Sequence, residues 1–308
     1  MKALVGYTGF VGSNLYASGG FDAGFNSKNI RDAYGLEPEL LIYAGLRAEK
    51  YLANQFPDKD MLLIEEAERN LAEIRPRRLV LISTVDVYQK PVGVDEETVI
   101  RTEGLQAYGT DRLLLEKWVR SRFPDALIIR LPGLFGKNLK KNFIYDFIHR
   151  IPFMLKEDKF LEFVGRMPEL ASYYEKLDNG FYRCRSLKKE EEKRLKDVFG
   201  ELGFSALNFT DSRSVFQFYP LNRLWKDIGT ALEAGLHLWN PATEPVSAAE
   251  VYHYLTGEDF VNEYSSEPAY YDYRTKYAEL FGGKDGYIMT KRQVLNEIRI
   301  FVEKEEKE

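Results

Sequence analysis

The first fifteen residues constrain this chain more than any other stretch. Lys2–Val5 is a short apolar run of the kind that forms a buried strand, and Gly6, Gly9 and Gly12 follow it at three-residue spacing. Ser13–Ala17 then continues as a helix. A strand, a glycine turn and a helix start together make an anion site. Glycines let the backbone approach a diphosphate, and the free amides of the first helical turn point at it. Each helix-end charge interaction contributes about 0.3–1 kcal/mol, and up to about 2 kcal/mol when partly buried. The loop therefore positions a ligand more than it supplies all the affinity. The pattern reads as a dinucleotide site, with a plain tight turn as the alternative.

With 308 residues the chain has room for one large α/β domain and a smaller lobe. Its net charge of −5 argues against a broad surface for nucleic acid or anionic membrane, so neither is expected as a partner. An anionic ligand must then be held locally. Cys184 is the single cysteine, which rules out an intrachain disulfide and fits a reducing compartment. Met1–Leu15 lacks the features of a signal peptide, and no apolar run approaches the roughly 20 residues needed to cross a bilayer. A cytoplasmic location is the resulting expectation. His149, His237 and His253 lack metal-ligand spacing, so no metal is expected.

Strand and helix patterns alternate from there. Gly24–Ser27 reads as a short second strand, with Asn26, Ser27 and Lys28 where a dinucleotide fold usually carries an acid for the adenosine ribose. A carboxylate there would repel a 2′-phosphate, whereas Ser27 and Lys28 can hold one. This favours NADP over NAD; a solvated loop lysine is the rival reading. Leu40–Ala44 is a third strand ending in Ala44-Gly45, small enough for a ligand to pass close to the backbone. Asp60–Ile74 carries a helical apolar stripe, and Leu79–Ile82 is a fourth strand. The alternation predicts an α/β fold: a Rossmann-type doubly wound parallel sheet, with a smaller α+β substrate lobe toward the C-terminus. Residues 1–150 would form the dinucleotide-binding domain and 151–308 mainly the lobe, with segments around 205–240 returning to the first domain.

Ser83–Tyr88 leaves the fourth strand with hydroxyls and Asp86, at the sheet edge where open α/β folds bind ligands. Lys90–Thr102 reads as an exposed loop. Tyr108 and Arg112 stand four apart at the start of an apolar helix, so they project together. Ala126–Leu131 is a further strand, closed by Pro132–Gly136.

Taken together, Gly6–Gly12, Ser83–Tyr88, Tyr108–Glu116 and Arg130–Gly136 resemble the extended short-chain dehydrogenase/reductases, the NAD(P)-dependent epimerases, dehydratases and reductases of sugar nucleotides. The likeness covers residues 1–150 and returns at Phe216–Thr256, in Phe216–Tyr219 and Asn240–Ser247; residues 153–209 carry no family motif. It implies a catalytic set of Thr84, Tyr108, Arg112 and Asp86. Thr84 would hydrogen-bond the reacting oxygen and Tyr108 would be the acid/base. Arg112 stands where the family usually has a lysine that lowers the tyrosine pKa and grips the nicotinamide ribose. Asp86 falls near the carboxylate base of the dehydratases, with Val85 where their acid would be; a turn hydrogen bond is the plainer role for Asp86. The cofactor set is Gly6, Gly9, Phe10, Val11, Gly12, Asn26, Ser27, Lys28, Ala44, Gly45, Tyr108, Arg112 and Pro132. Substrate-binding candidates are Thr84, Asp86, Asn142, Arg213 and Gln217.

A free tyrosine ionises near pH 10, and a cation within about 4–6 Å lowers an acid by roughly 1–3 units. Arg112 can supply that field, but its planar fork differs from a compact ammonium. Two functions follow: an NAD(P)-dependent oxidoreductase or epimerase on a nucleotide-activated sugar, or a catalytically impaired NAD(P)-binding regulator or sensor. A reductase of a small carbonyl metabolite is a third. The resemblance implies a homodimer through the helices at 60–74 and 108–122, and the apolar load of Leu113–Val119, which exceeds one buried stripe, is in keeping with it.

In the lobe, Phe181–Arg185 and Ala206–Phe209 read as strands, and Leu187–Leu202 as a helix whose Lys188–Arg194 face is solvated. Arg213 beside aromatics suits a nucleotide diphosphate and base, and core packing of those aromatics is equally compatible. Leu221–Ala234 is a helix, Leu236–Asn240 a strand, and Ser247 with Glu250 a capping pair. Thr290–Val302 is the last helix, with Glu303–Glu308 fraying.

Overall fold

In the computed structural model, which describes residues 1–307, the alternating strands and helices assemble into two compact units. The first is built from Met1–Asn138, Val215–Val246 and Tyr270–Glu297. The second takes Leu139–Ser214, Ser247–Ala269 and the described residues from Ile298 on. The chain thus leaves the first unit at Asn138, earlier than residue 150, because its next helix buries Phe143, Ile144 and Phe147 within the second unit. It returns twice, and the second return, Tyr270–Glu297, lies outside the 205–240 stretch expected to do so.

The chain runs β1 (Lys2–Val5), α1 (Phe10–Ala17), β2 (Ala23–Phe25), β3 (Leu40–Tyr43), α2 (Lys50–Gln55), α3 (Pro57–Ile74), β4 (Leu79–Thr84), α4 (Ala107–Arg122), β5 (Leu127–Leu131) and β6 (Gly133–Phe135). There follow α5 (Phe143–His149), β7 (Met154–Lys156), α6 (Glu157–Arg166), β8 (Tyr174–Lys176), β9 (Phe181–Cys184) and α7 (Lys189–Glu201). Then come β10 (Val215–Phe216), β11 (Phe218–Pro220), α8 (Leu224–Glu233), β12 (Leu238–Trp239), α9 (Ala248–Thr256) and α10 (Lys291–Glu305).

The main sheet of the first unit has the order β12-β5-β4-β3-β1-β2, and every neighbouring pair is parallel. Leu40–Tyr43 is buried along its whole length, as expected of a strand covered on both faces. The α3 stripe of Ile64, Ala67, Leu71 and Ile74 packs on Val5, Leu41, Leu79 and Leu81 in one core. The order reverses at β1, with β2 on one side and β3 on the other. Ligands bind open α/β sheets in the crevice outside the carboxyl ends of the strands at such a switch point.

In the second unit β7, β9 and β8 form an antiparallel sheet. Phe160 and Phe163 from α6 and Leu195, Val198 and Phe199 from α7 share its core. Three expectations change here. Ala206–Phe209 is a 3-10 turn instead of a strand, because Ser205 and Asn208 close a capping box around it. Residues 151–167, which show no sequence period, resolve into β7 and α6. The last helix holds through Glu305, past the Glu303 at which fraying is expected. The Ser247–Glu250 capping box forms as expected, the two residues exchanging bonds of 3.0 and 2.8 Å.

Candidate active site

The glycine turn lies at the switch point. Gly6 has φ +89°, and a Cβ on it would sit 2.3 Å from the Ala44 carbonyl oxygen, so the turn leaving β1 presses on the Ala44-Gly45 end of β3. A Cβ on Gly12 would lie 2.0 Å from the Gly6 carbonyl oxygen, which fixes how closely α1 approaches the turn. Gly9 is the N-cap of α1 and has no side-chain cap. Intrahelical bonding begins with the Ser13 amide donating to Gly9 at 2.8 Å, so the amides of Phe10, Val11 and Gly12 are left at the open end of the helix. Gly6 and Gly12 leave no room for a side chain in this cradle, and its open amides suit a diphosphate. Asn26, Ser27 and Lys28 follow β2. The Asn26 side chain accepts from the Lys28 amide at 2.9 Å and shapes the turn, which leaves Ser27 and Lys28 exposed. Pro132 follows β5, whose Leu131 is registered opposite Thr84 of β4.

Thr84 ends β4, and its hydroxyl accepts from the Asp86 amide at 3.2 Å, capping the short 3-10 turn Val85–Val87. Tyr108 arrives at this turn from the first turn of α4 because the next residue is glycine. A Cβ on Gly109 would lie 2.2 Å from the Asp86 carbonyl oxygen. The helix therefore touches the strand exit backbone to backbone, and the Tyr108 phenol is buried facing Thr84.

Burial raises the Tyr108 pKa above its ordinary value; the Arg112 charge opposes this, the Asp86 carboxylate adds to it, and the Thr84 hydroxyl and the Lys50 ammonium oppose it. The outcome reverses the expectation of a lowered tyrosine: desolvation of the phenolate outweighs the cations. Arg112 nonetheless lies against Tyr108. Its guanidinium stacks over the Tyr108 ring, 4.3 Å from the centroid. One nitrogen pairs with the buried Asp60 carboxylate, and another donates to the Arg47 carbonyl at 2.7 Å. Arg112 is 3% exposed and committed to these partners.

Another ammonium is present. Lys50 Nζ is 2.8 Å from Asp86 Oδ1 and 3.4 Å from the Tyr271 hydroxyl, which itself donates to Asp86 Oδ1 at 3.0 Å. Sequence reasoning missed Lys50 and Tyr271. No local pattern marks either, since they reach Asp86 across 36 and 185 residues. It also missed Glu96, in a loop read as exposed. Glu96 accepts from the Asn240 amide, the Thr275 hydroxyl and the Lys276 amide at 2.6–3.0 Å, which ties three segments of the first unit together.

Of the expected residues, Thr84, Asp86, Tyr108 and Arg112 come together, and the glycine turn meets Ala44 and Gly45. Gln217 is 1% exposed, and both its amide hydrogens go to the Thr243 and Tyr273 carbonyls while its oxygen takes the Tyr273 amide. Its side chain braces the Tyr273 segment instead of facing a ligand. Asn142 and Arg213 lie in the second unit. Asn142 caps α5, accepting from the Ile144 and Tyr145 amides. Arg213 is held by Asp211 at 2.8 Å and by the Ser265 carbonyl at 2.7 Å. Among the described residues no cluster of three or more His, Cys, Asp or Glu side chains could hold a metal, and no helix is long and apolar enough to cross a membrane.

Neither a family model nor a curated protein matches this sequence. Solved structures do match its shape. The dTDP-4-dehydrorhamnose reductase from Bacillus anthracis in complex with NADP superposes with a TM-score of 0.63 at 16% identity, over 98% of each chain. A UDP-galactose 4-epimerase gives 0.61 at 13%, covering 100% of this chain and 99% of that one. A short-chain dehydrogenase/reductase superfamily protein from Agrobacterium tumefaciens with bound NAD gives 0.58 at 16%, over 99% and 98%. The chain shares the Rossmann-type α/β fold of these structures. In this fold the dinucleotide-type cradle, the β4 exit and Tyr108 all belong to one unit of the chain.

Proposed function

We propose that the chain is an NAD(P)-dependent oxidoreductase or epimerase acting on a nucleotide-activated sugar, with Tyr108 as the acid/base. The observation that carries this reading is the Tyr108 phenol facing Thr84 at the carboxyl end of β4, next in the sheet to the β3 end that meets the glycine turn. Solved reductases and an epimerase of nucleotide sugars with the same fold support the substrate class. The cofactor, when bound, supplies the site for hydride. The amides of Phe10, Val11 and Gly12 would hold its diphosphate, and Ser27 and Lys28 favour NADP by offering a 2′-phosphate a hydroxyl and a cation.

The chain's own residues manage the proton. A phenol with a raised pKa is neutral at pH 7, the form that donates to an oxygen gaining charge as hydride arrives at its carbon. Thr84 uses its oxygen to accept from the Asp86 amide, so its own hydrogen remains to bond that oxygen or the phenolate. Asp86 stands beside the phenol as a carboxylate that could take a proton from carbon next to a carbonyl, the step epimerisation or elimination requires.

A second reading, a non-catalytic dinucleotide-binding regulator or sensor, is favoured by one observation: Arg112 is spent on Asp60 and Arg47 and does not stand free as a ribose-gripping cation. The test separates the two. Purified protein is checked for retained NADPH or NADH, then given a panel of 4-keto nucleotide sugars while nicotinamide absorbance is followed. Turnover that Tyr108→Phe abolishes supports the enzyme. Tight dinucleotide binding with no turnover on any member supports the regulator. A homodimer through α3 and α4 belongs to the same proposal, since Leu62 and Leu114 on those helices are 62% and 41% exposed. A monomer mass at micromolar concentration would reject it.

A further inference from the structure

Arg112 lies against the Tyr108 ring but is tied to Asp60 and Arg47, and it leaves the Asp86 carboxylate beside the phenol without a cation of its own. Helix α2 answers this. Lys50 and Asn54 are four residues apart and share one face of it. Asn54 docks that face onto the start of α4: its oxygen accepts from the Tyr108 amide at 2.9 Å, and its amide donates to Gln106 Oε1 at 2.6 Å. One turn earlier on the same face, Lys50 reaches Asp86 and Tyr271. The helix that fixes the Tyr108 backbone thus also delivers an ammonium to the carboxylate beside the Tyr108 phenol.

We propose that Lys50 is a positioning residue of this site: its ammonium, delivered by α2 and held by Asp86 and Tyr271, offsets the Asp86 carboxylate next to Tyr108 and supplements the charge of Arg112, which is tied to Asp60. This rests on the reading of Tyr108 as the proton donor. When the phenol gives its O–H proton to the substrate oxygen, the O–H bond breaks and the electron pair stays on the tyrosine oxygen. If Lys50 were absent, that new anion would face Asp86 with only Arg112 to oppose it. The charged groups around the phenol are Arg112 on α4, Asp86 on the β4 exit and Lys50 on α2. Around Lys50 they are Asp86 and Tyr271. The side chain is 45% exposed, so substitution there need not disturb a core.

The experiment titrates the phenol directly and needs no substrate. Protein is labelled with 3-fluorotyrosine, which ionises at lower pH than tyrosine, and the Tyr108 signal is assigned by its loss in Tyr108→Phe. Lys50→Met should raise the Tyr108 midpoint by about one pH unit, while Asp86→Asn should lower it. The double variant should move back toward the wild type, and Lys50→Arg should stay close to it. Damage to the fold would not move the two single variants in opposite directions. An unmoved midpoint in Lys50→Met, or a shift of the same sign in both, overturns the Lys50 role while leaving Tyr108 in place. Turnover that survives Tyr108→Phe would overturn both.

Discussion

Replacing Gly109 with alanine tests whether backbone contact between α4 and the β4 exit sets the reactive geometry. On helix propensity alone the change should stabilise the chain by about 1 kcal/mol, since alanine is the better helix former. The contact reverses the sign. The new Cβ would stand 2.2 Å from the Asp86 carbonyl oxygen and 3.0 Å from Leu105 Cδ1, against 3.4 Å or more for ordinary contact. The shortfall against the oxygen is about 1.2 Å, and that partner is backbone, so α4 must move by roughly that much. Overpacking of this kind costs about 1–3 kcal/mol, which cancels the propensity gain or exceeds it. The larger effect is on rate. A misplacement of about 1 Å in reacting groups can cost on the order of a hundredfold, or about 2.7 kcal/mol of barrier. The assay pairs kcat for nicotinamide oxidation, on whichever 4-keto nucleotide sugar the screen identifies, with the dissociation constant of NADPH. We expect kcat to fall about a hundredfold and the dissociation constant to change less than about threefold, because the cradle at β1 is untouched. Wild-type kcat in Gly109→Ala would refute the reasoning, since it would mean the contact does not place Tyr108.

Three further outcomes follow from the same geometry. Gly12→Ala puts a Cβ 2.0 Å from the Gly6 carbonyl and should weaken dinucleotide binding on the order of a hundredfold, read by nicotinamide fluorescence. If Lys28 bonds a 2′-phosphate, Lys28→Ala should weaken NADPH about tenfold and leave NADH unchanged, because a charge-assisted bond contributes roughly 1.5–3 kcal/mol; equal effects on both would remove the NADP preference. In the second unit, burial raises the Asp146 carboxyl from 3.8 to about 7. The folded form therefore favours the protonated acid, and that favourable term is present below about pH 4 and lost as pH rises through 7. Asp146→Asn should melt higher than the wild type at pH 8, by about 2 kcal/mol of stability, and the two should converge at pH 4; parallel curves across that range would contradict it.

What the sequence made legible was what short spacing determines. The strand, glycine turn and helix at the start, the Thr84 exit and the Tyr108–Arg112 pair each depend on residues within one turn or one strand of each other. Arg112 shows where that ends. The spacing correctly set it beside Tyr108, but Asp60, 52 residues away, decides what its charge does. Lys50, Tyr271 and Glu96 gain their roles through contacts 36 to 185 residues apart, and no local pattern encodes those. Gln217 is a substrate-binding candidate because Phe216–Tyr219 resembles the family's substrate lobe; full burial and three backbone bonds give it a bracing role instead.

The Glu96 clasp carries a consequence for how the protein is made. Its three partners belong to segments that leave the ribosome about 140 to 180 residues after Glu96 itself, and β12 must also arrive late to cover the β5 edge. The nascent sheet therefore waits with an open border and an unanswered carboxylate while Leu139–Ser214 of the second unit is translated. A chain cut anywhere between Leu139 and Tyr270 would carry the glycine turn and Tyr108, yet lack at least the Thr275 and Lys276 part of the fastening that holds their unit shut.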